Sequence, residues 1–297
     1  WVAAVAFVAL FAAAGFRAAP GALMVPLHDE FGWSMSVMSA AVSINLGLFG
    51  LEAPFAAALM NRYGLRNVTA LALSLVTTGL VLSLFMTQIW QLVLLWGFVV
   101  GFGTGMTALV LGATVASRWF NANRGLVVGI LTASAATGQL VFLPVLASIT
   151  ERYGWRIAMS LMCVMLVVAA FAVLLIMRDR PSDVGLRPLG DNGSDPIAPP
   201  PPNNAPIMAA ALGALKDAAR TKVFWILFGT FFICGASTNG LIQTHFIPFC
   251  SDFGLPATGA ATLLAAMGVF DFIGTIGSGY LSDRYDNRWL LFWYYGL

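Results

Sequence analysis

The chain has 297 residues, of which 59% are hydrophobic and only 9% charged, with a formal net charge of +2. Its mean hydropathy is +0.85. A soluble domain carries about a quarter charged residues, so a water-facing globule is excluded and a chain embedded in lipid is expected. The near-neutral balance, without any basic tract, gives no reason to expect a nucleic-acid partner.

A membrane-crossing helix needs about 20 mostly apolar residues. In chain order the runs that meet this are 1–27, 36–60, 67–87, 91–116, 125–150, 156–177, 222–248 and 256–282, with a ninth opening at 289. They are too long and too evenly apolar for barrel strands, which alternate in polarity over about 10 residues. Pro20, Pro54 and Pro144 fall inside runs, where membrane helices tolerate them. The first run has no basic leading segment, so no cleaved signal peptide is expected. The chain opens at Trp1-Val2 and closes on "WLLFWYYGL", both apolar, and is expected to be a fragment at both ends. Trp33, Trp90, Trp119, Trp155 and Trp225 sit near run ends, as an interfacial aromatic belt requires.

With the 36–60 to 67–87 connection placed in the cytoplasm, twelve of the fifteen basic residues lie on the cytoplasmic side and only Arg152 and Arg156 outside, with Arg17 remaining. That bias fixes the orientation and supports the number of crossings. Residues 178–221 form the one long connection and hold Pro199 to Pro202. This composition reads as a flexible cytoplasmic linker, with "APIMAAALGALKDAAR" at its end able to lie as a short helix on the inner membrane surface. The linker divides the chain into 1–177, a six-helix bundle, and 222–297, the start of a second.

The two parts repeat each other. "PLHDEFG" (Pro26 to Gly32) recurs as "PFCSDFG" (Pro248 to Gly254), and, with the same offset of 222 residues, "LMNRYGLR" (Leu59 to Arg66) recurs as "LSDRYDNR" (Leu281 to Arg288). Two phrases in one ungapped register point to an internal duplication. Six helices per copy imply twelve crossings in two parallel repeats, with the present sequence stopping in the ninth.

Cys163, Cys234 and Cys250 form no CxxC or metal-ligand spacing, and neither a disulfide framework nor a metal or other cofactor is expected. Gly97, Gly101 and Gly105 recur every four residues and make a smooth groove for close helix contact. "GFGTG" among them mimics a phosphate loop, but no strand precedes it.

Charged residues inside a span are costly and mark candidate sites. Arg17 lies ten residues before the outer end of its run, about 15 Å deep at 1.5 Å per residue. Its planar fork suits a carboxylate. It is either a clamp for a substrate anion or one half of an internal pair with Glu52 or Asp271. The repeat places Asn239 opposite Arg17, and Gln243 shares its helix face; both are candidate substrate ligands, or else they join helices by polar packing. Asp271, central in the 256–282 run, is a candidate proton carrier. Glu52 is a second such group or a gating or structural partner. His245, near the outer end of its run, is a proton-sensitive gate or an interfacial residue.

The chain resembles the major facilitator superfamily. Its G-x-L-x-D-R-x-G-R-R pattern matches "GYLSDRYDNR" (Gly279 to Arg288) and, less closely, "AALMNRYGLR" (Ala57 to Arg66), where Asn61 replaces the usual Asp and Ala57 the usual Gly. "SRWFNANRGLVVGI" (Ser117 to Ile130), "ERYGWRIA" (Glu151 to Ala158) and "RDRPSDVGLRPLG" (Arg178 to Gly190) are similar to the monocarboxylate-porter and oxalate/formate-antiporter branch. The resemblance implies an all-α membrane protein with the major facilitator fold. It also implies a conformational latch in which Asn61, Arg62, Arg66, Asp283, Arg284 and Arg288 take part. Arg62 and Arg284 would reach carbonyls at helix C-termini and Asp283 an opposing helix N-terminus. Animal monocarboxylate porters carry Asp and, four residues on, Arg in the eighth helix; here Asp271 is present but Thr275 stands at the Arg position.

The expected activity is secondary transport of a small organic anion, coupled to protons or to exchange, by a monomer in a bacterial-type inner membrane. Alternatives are an efflux transporter of neutral or amphipathic molecules and a receptor on a transporter scaffold. Neither an HExxH motif nor a G-x-x-x-x-G-K-[ST] motif is present, and an enzyme is not expected.

Overall fold

Apolar runs become helices because a backbone in hydrocarbon has to pair its own N–H and C=O groups. The structure, a computed structural model, describes residues 1–107, 109–191 and 206–296, and the side chains among them except those at positions 18, 135, 136, 139, 140, 239, 240, 243, 244 and 257. α1 (Val2–Phe31) runs through Pro20 and Pro26 and stops where Gly32 turns left-handed at φ 67°. Ser34 opens α2 (Met35–Leu51) by accepting the Val37 N–H. At Glu52 the axis turns by 54° into α3 (Ala53–Tyr63). Pro54, in the first turn of α3, has no N–H with which to continue the hydrogen-bond ladder of α2. α4 (Leu65–Ser83) follows Gly64.

The fourth crossing is composite. α5 (Ile89–Leu92) leads into a π-helical stretch, Val93–Val99, then α6 (Val100–Met106) and α7 (Leu109–Trp119). α8 (Arg124–Tyr153) and α9 (Trp155–Ile176) complete the first six crossings. α10 (Ile207–Ala219) turns by 98° into the seventh crossing, built from α11 (Lys222–Cys234), a second π stretch at Gly235–Gln243, and α12 (Thr244–Asp252). α13 (Ala257–Ser282) and α14 (Asn287–Gly296) follow. The eight expected runs and the opening of the ninth all fall on these helices. Among the described residues the only extended pairing is one isolated bridge between Phe120 and Leu189.

The glycine stripe of the fourth crossing lies against α2. A Cβ on Gly97 would stand 3.4 Å from the Ala41 carbonyl, one on Gly101 3.3 Å from the Asn45 Cα, and one on Gly105 would collide with Glu52. Glycine at every fourth position therefore brings two backbones close enough for Asn45 Nδ2 to donate to the Trp96 carbonyl inside the π stretch, at 2.7 Å. One apolar core binds the first six crossings together. A second, smaller one joins Ala22 of α1, Leu143 and Ala147 of α8, Ile247 and Cys250 of α12, and Ala260, Ala261 and Leu264 of α13.

The 178–221 connection is not flexible throughout. Residues 178–191 fold onto the first bundle, and positions 192–205, including Pro199 to Pro202, lie outside the described residues. Asp179 Oδ1 accepts the Arg66 N–H at the start of α4, 2.8 Å away. Leu189 donates its N–H to the Trp119 carbonyl and accepts from Asn121, both at 2.8 Å. Composition alone hides this fold, because backbone bonds and one carboxylate hold it rather than an apolar face.

Candidate functional site

Arg17 and the cavity beside it

Arg17 sits on α1, and its guanidinium lies over the Phe49 ring of α2, 4.8 Å from the centroid. Together they line a cavity with Thr104 of α6, Thr107 just beyond it, and Thr132 and Ser134 of α8, whose empty volume, open solvent included, is ≈ 410 Å³. The cavity's hydroxyl protons are largely committed to nearby carbonyls of their own crossing: Thr104 donates to Gly101, Thr107 to Gly103 and Thr104, and Ser134 to Leu131. These oxygens face the space mainly as acceptors, so Arg17 is its strong donor. Among the described residues Arg17 forms no salt bridge; the pairs found are Arg156–Glu30, Arg187–Asp191 and Arg220–Asp217.

Neither internal partner considered for Arg17 is therefore engaged. Asp271 is exposed on α13 and accepts from Thr275 Oγ1 at 3.1 Å. Glu52 is buried, 7% exposed, and both its carboxyl oxygens lack a hydrogen-bond partner. His245 is exposed in the first turn of α12. The Asn239 and Gln243 side chains lie outside the described residues; their backbones belong to the second π stretch. The described lining comes from α1, α2, α6, α7 and α8 and the residue joining α6 to α7, all in the first half of the chain.

The repeated loops

Asp283 receives two amides from the start of α8: Gly125 N–H reaches its Oδ1 at 2.7 Å and Leu126 N–H its Oδ2 at 2.8 Å. A carboxylate at a helix N-terminus meets both unpaired donors and the positive end of the dipole. Below it, Gly125, Gly129 and Gly279 let the two backbones touch: a Cβ on Gly279 would stand 2.5 Å from the Gly125 carbonyl oxygen.

Asn61, the counterpart of Asp283, stays in its own half. Its Oδ1 accepts from Arg118 Nη2 at 2.8 Å, and Arg118 also donates to the carbonyls of Met60 and Asp179. Among the described residues Arg62 and Arg284 do not take the carbonyl contacts expected of them. They lie over the Tyr63 and Tyr280 rings, at 5.6 Å and 4.3 Å; Arg118 takes that role instead. Arg66 gives its N–H to Asp179, and Arg288 gives its own to Asp286 within the loop.

Arg118, Asp179 and Phe49 were not singled out from sequence, although "SRWF" and "RDRPSD" contain the first two. A further omission lies at the far end of the same helix pair, where Glu151 Oε1 accepts the Thr258 N–H at the start of α13, at 3.1 Å.

Similarity to known proteins

The sequence pattern of the Major Facilitator Superfamily matches residues 5–297. Mouse monocarboxylate transporter 11 is 31% identical over 284 residues, covering 95% of this chain and 59% of the relative. An uncharacterized MFS-type transporter of Bacillus subtilis, YcxA, is 23% identical over 268 residues, covering 89% and 60%. The chain thus spans about three fifths of the length of these curated relatives. Among solved structures, a D-xylose–proton symporter superposes with a TM-score of 0.64 at 14% identity, over 92% of this chain and 66% of the other. A partially occluded, inward-open form of the E. coli xylose transporter XylE gives 0.64 at 14%, over 96% and 73%. At that identity the likeness speaks for the fold alone, and it agrees with the helix order, the repeated loops and the match along the sequence: the chain belongs to the Major Facilitator Superfamily.

Proposed function

We propose that this chain is part of a secondary transporter that carries a small organic anion, a carboxylate above all, across the bilayer by alternating access. A proton or counter-substrate gradient supplies the energy. The observation that carries this reading is Arg17, a guanidinium inside a membrane span that forms no salt bridge among the described residues and lines a cavity whose other polar groups are mainly acceptors. An unpaired cation in such a place is expensive unless a solute neutralises it, and a planar fork favours a carboxylate. The name of the mouse monocarboxylate transporter points the same way. Asn239 and Gln243 are proposed as ligands from the second half, and Asp283 as the latch that ties α13 to α8 at the cytoplasmic face. The protein acts as a monomer in a plasma membrane, with the 178–221 connection inside.

Counterflow of labelled pyruvate, lactate and oxalate in proteoliposomes tests this. Arg17→Ala is expected to lower uptake of the transported anion about a hundredfold, as loss of a buried charged contact does. Unchanged uptake by the variant overturns the anion reading.

A further inference from the structure

Among the described residues Glu52 is the one charged side chain that is buried, and the anion site leaves its chemistry unused. It stands at the junction of α2 and α3, where the axis bends by 54°. Only 7% of the residue is exposed, and neither carboxyl oxygen has a hydrogen-bond partner. The side chain lies flat against Gly105, where an added Cβ would overlap Oε2 and stand 3.1 Å from the Glu52 Cβ and Cδ. An ionised carboxylate with no donor and no counter-charge is among the most costly groups to bury, whereas the neutral acid is not. The pocket is thus shaped for a carboxylic acid.

The residues that flank Glu52 connect it to Arg17 of α1, which packs against α2. Phe49, which carries the Arg17 guanidinium, is three residues before Glu52 and so on the adjoining turn of the same face. Thr104, which lines the Arg17 cavity, is next to Gly105, which Glu52 touches. Neighbours of Glu52 thus also meet Arg17 or its cavity, while acid and guanidinium form no salt bridge among the described residues. The other charged groups on elements packed against α2 and α3 are at the helix ends: His28, Asp29 and Glu30 close α1, with Glu30 bound to Arg156, and the rest lie at the opposite end. Arg118 of α7 is bound to Asn61 and Met60, and Arg66 of α4 binds Asp179 through its backbone. Asp217 and Arg220 face each other at the end of α10, near Lys216. The π stretch and α6 carry no charged residue.

We infer that Glu52 is the proton-binding site of the transporter and that its proton and the transported anion are linked through Arg17. With the proton bound, the neutral acid rests against Gly105 and Arg17 is free for the anion. When the proton leaves, the carboxylate draws Arg17 into an ion pair and the anion loses its partner. One proton and one monovalent anion then move together and no net charge crosses. Such linkage is reciprocal: the anion raises the affinity for the proton by the factor by which the proton raises the affinity for the anion. This inference rests on the anion reading above, and it places the proton on Glu52 rather than on Asp271 or His245.

Glu52→Gln, which fixes the neutral form with little change in shape, separates the two ideas in the full-length protein. In proteoliposomes the variant is expected to keep counterflow of pyruvate, lactate or oxalate within about twofold of the parent. It is expected to lose pH-gradient-driven accumulation by about tenfold or more, a coupling of ordinary size. Accumulation like the parent's overturns the assignment. Infrared difference spectra of the purified protein between acid and alkaline buffer need no substrate. The carboxylic-acid C=O band of a buried group should be present in the parent and missing in Glu52→Gln; its presence in both places the proton elsewhere. A parent that moves none of the three anions sinks the anion reading, and the infrared band then decides alone whether Glu52 takes up a proton.

Discussion

At position 61 the first copy of the repeated loop carries an asparagine, and at position 283 the second carries an aspartate. Four residues earlier the first has Ala57 and the second Gly279. These two differences coincide with opposite behaviour. Asn61 turns inward to Arg118 of its own half, while Asp283 crosses to the N-terminus of α8, with the bare Gly279 backbone against Gly125 and Gly129. A methyl group and a charge are thus two of the differences between a loop that stays in its own half and a loop that reaches α8. The cation paired with each copy follows suit: Arg118 is held by three acceptors at the ends of the first bundle, whereas Arg284 only lies over Tyr280.

Adding the methyl group to the second copy should have the largest effect. A Cβ at position 279 meets the Gly125 carbonyl oxygen at 2.5 Å and the Gly129 Cα at 2.9 Å, and both are backbone that cannot swing aside. Gly279→Ala is expected to cost about 1–3 kcal/mol, as overpacking does, and to move the start of α8 and the end of α13 apart. A thermal melt in detergent reads the first, and a spin-label pair on the two helix ends reads the second. If melting and distance both match the parent, the close approach is not what holds the halves together. Removing the charge should have a smaller effect. Asp283→Ala leaves the Gly125 and Leu126 amides uncapped, worth about 1 kcal/mol, so hydrogen exchange at these two amides should rise several-fold with little change at the C-terminal end of α8. Uniform exchange along α8 would show that Asp283 does not act as a local cap.

The crossings were legible in the sequence because lipid imposes a strict length and polarity on each of them; even the opening of α14 at 289 could be placed. The Gly97, Gly101 and Gly105 stripe was legible for the same kind of reason, since a period of four allows only one packing face. What stayed hidden was the choice of partner. Arg62 and Arg284 have the residue type expected at a helix C-terminus, but nothing in their spacing says that Arg118, more than 50 residues away in sequence from Asn61, reaches that site first. Asp179 looked like part of a flexible tract because its role depends on hydrogen bonds to Arg66 and Arg118, 113 and 61 positions away. Asp271 is central by position along its helix, but position does not give the direction in which a side chain faces, and the contact it makes is with Thr275 on its own helix.

The mildest test gives the first copy the charge it lacks. Asn61→Asp sets a carboxylate where Arg118 Nη2 already donates at 2.8 Å, so an ion pair forms without any rearrangement. Because Asn61 is exposed, that pair should add only about 0.2–1 kcal/mol, seen as a slightly higher melting temperature that falls back as salt is raised. The new Asp should remain with Arg118, since Ala57 still keeps its helix from the close approach that Gly279 permits. In the double variant Ala57→Gly/Asn61→Asp these two of the differences from the second copy are removed, and the loop should then melt less independently of the other half. A single Asn61→Asp change that already ties the halves together would assign the whole contrast to charge and none to the methyl group.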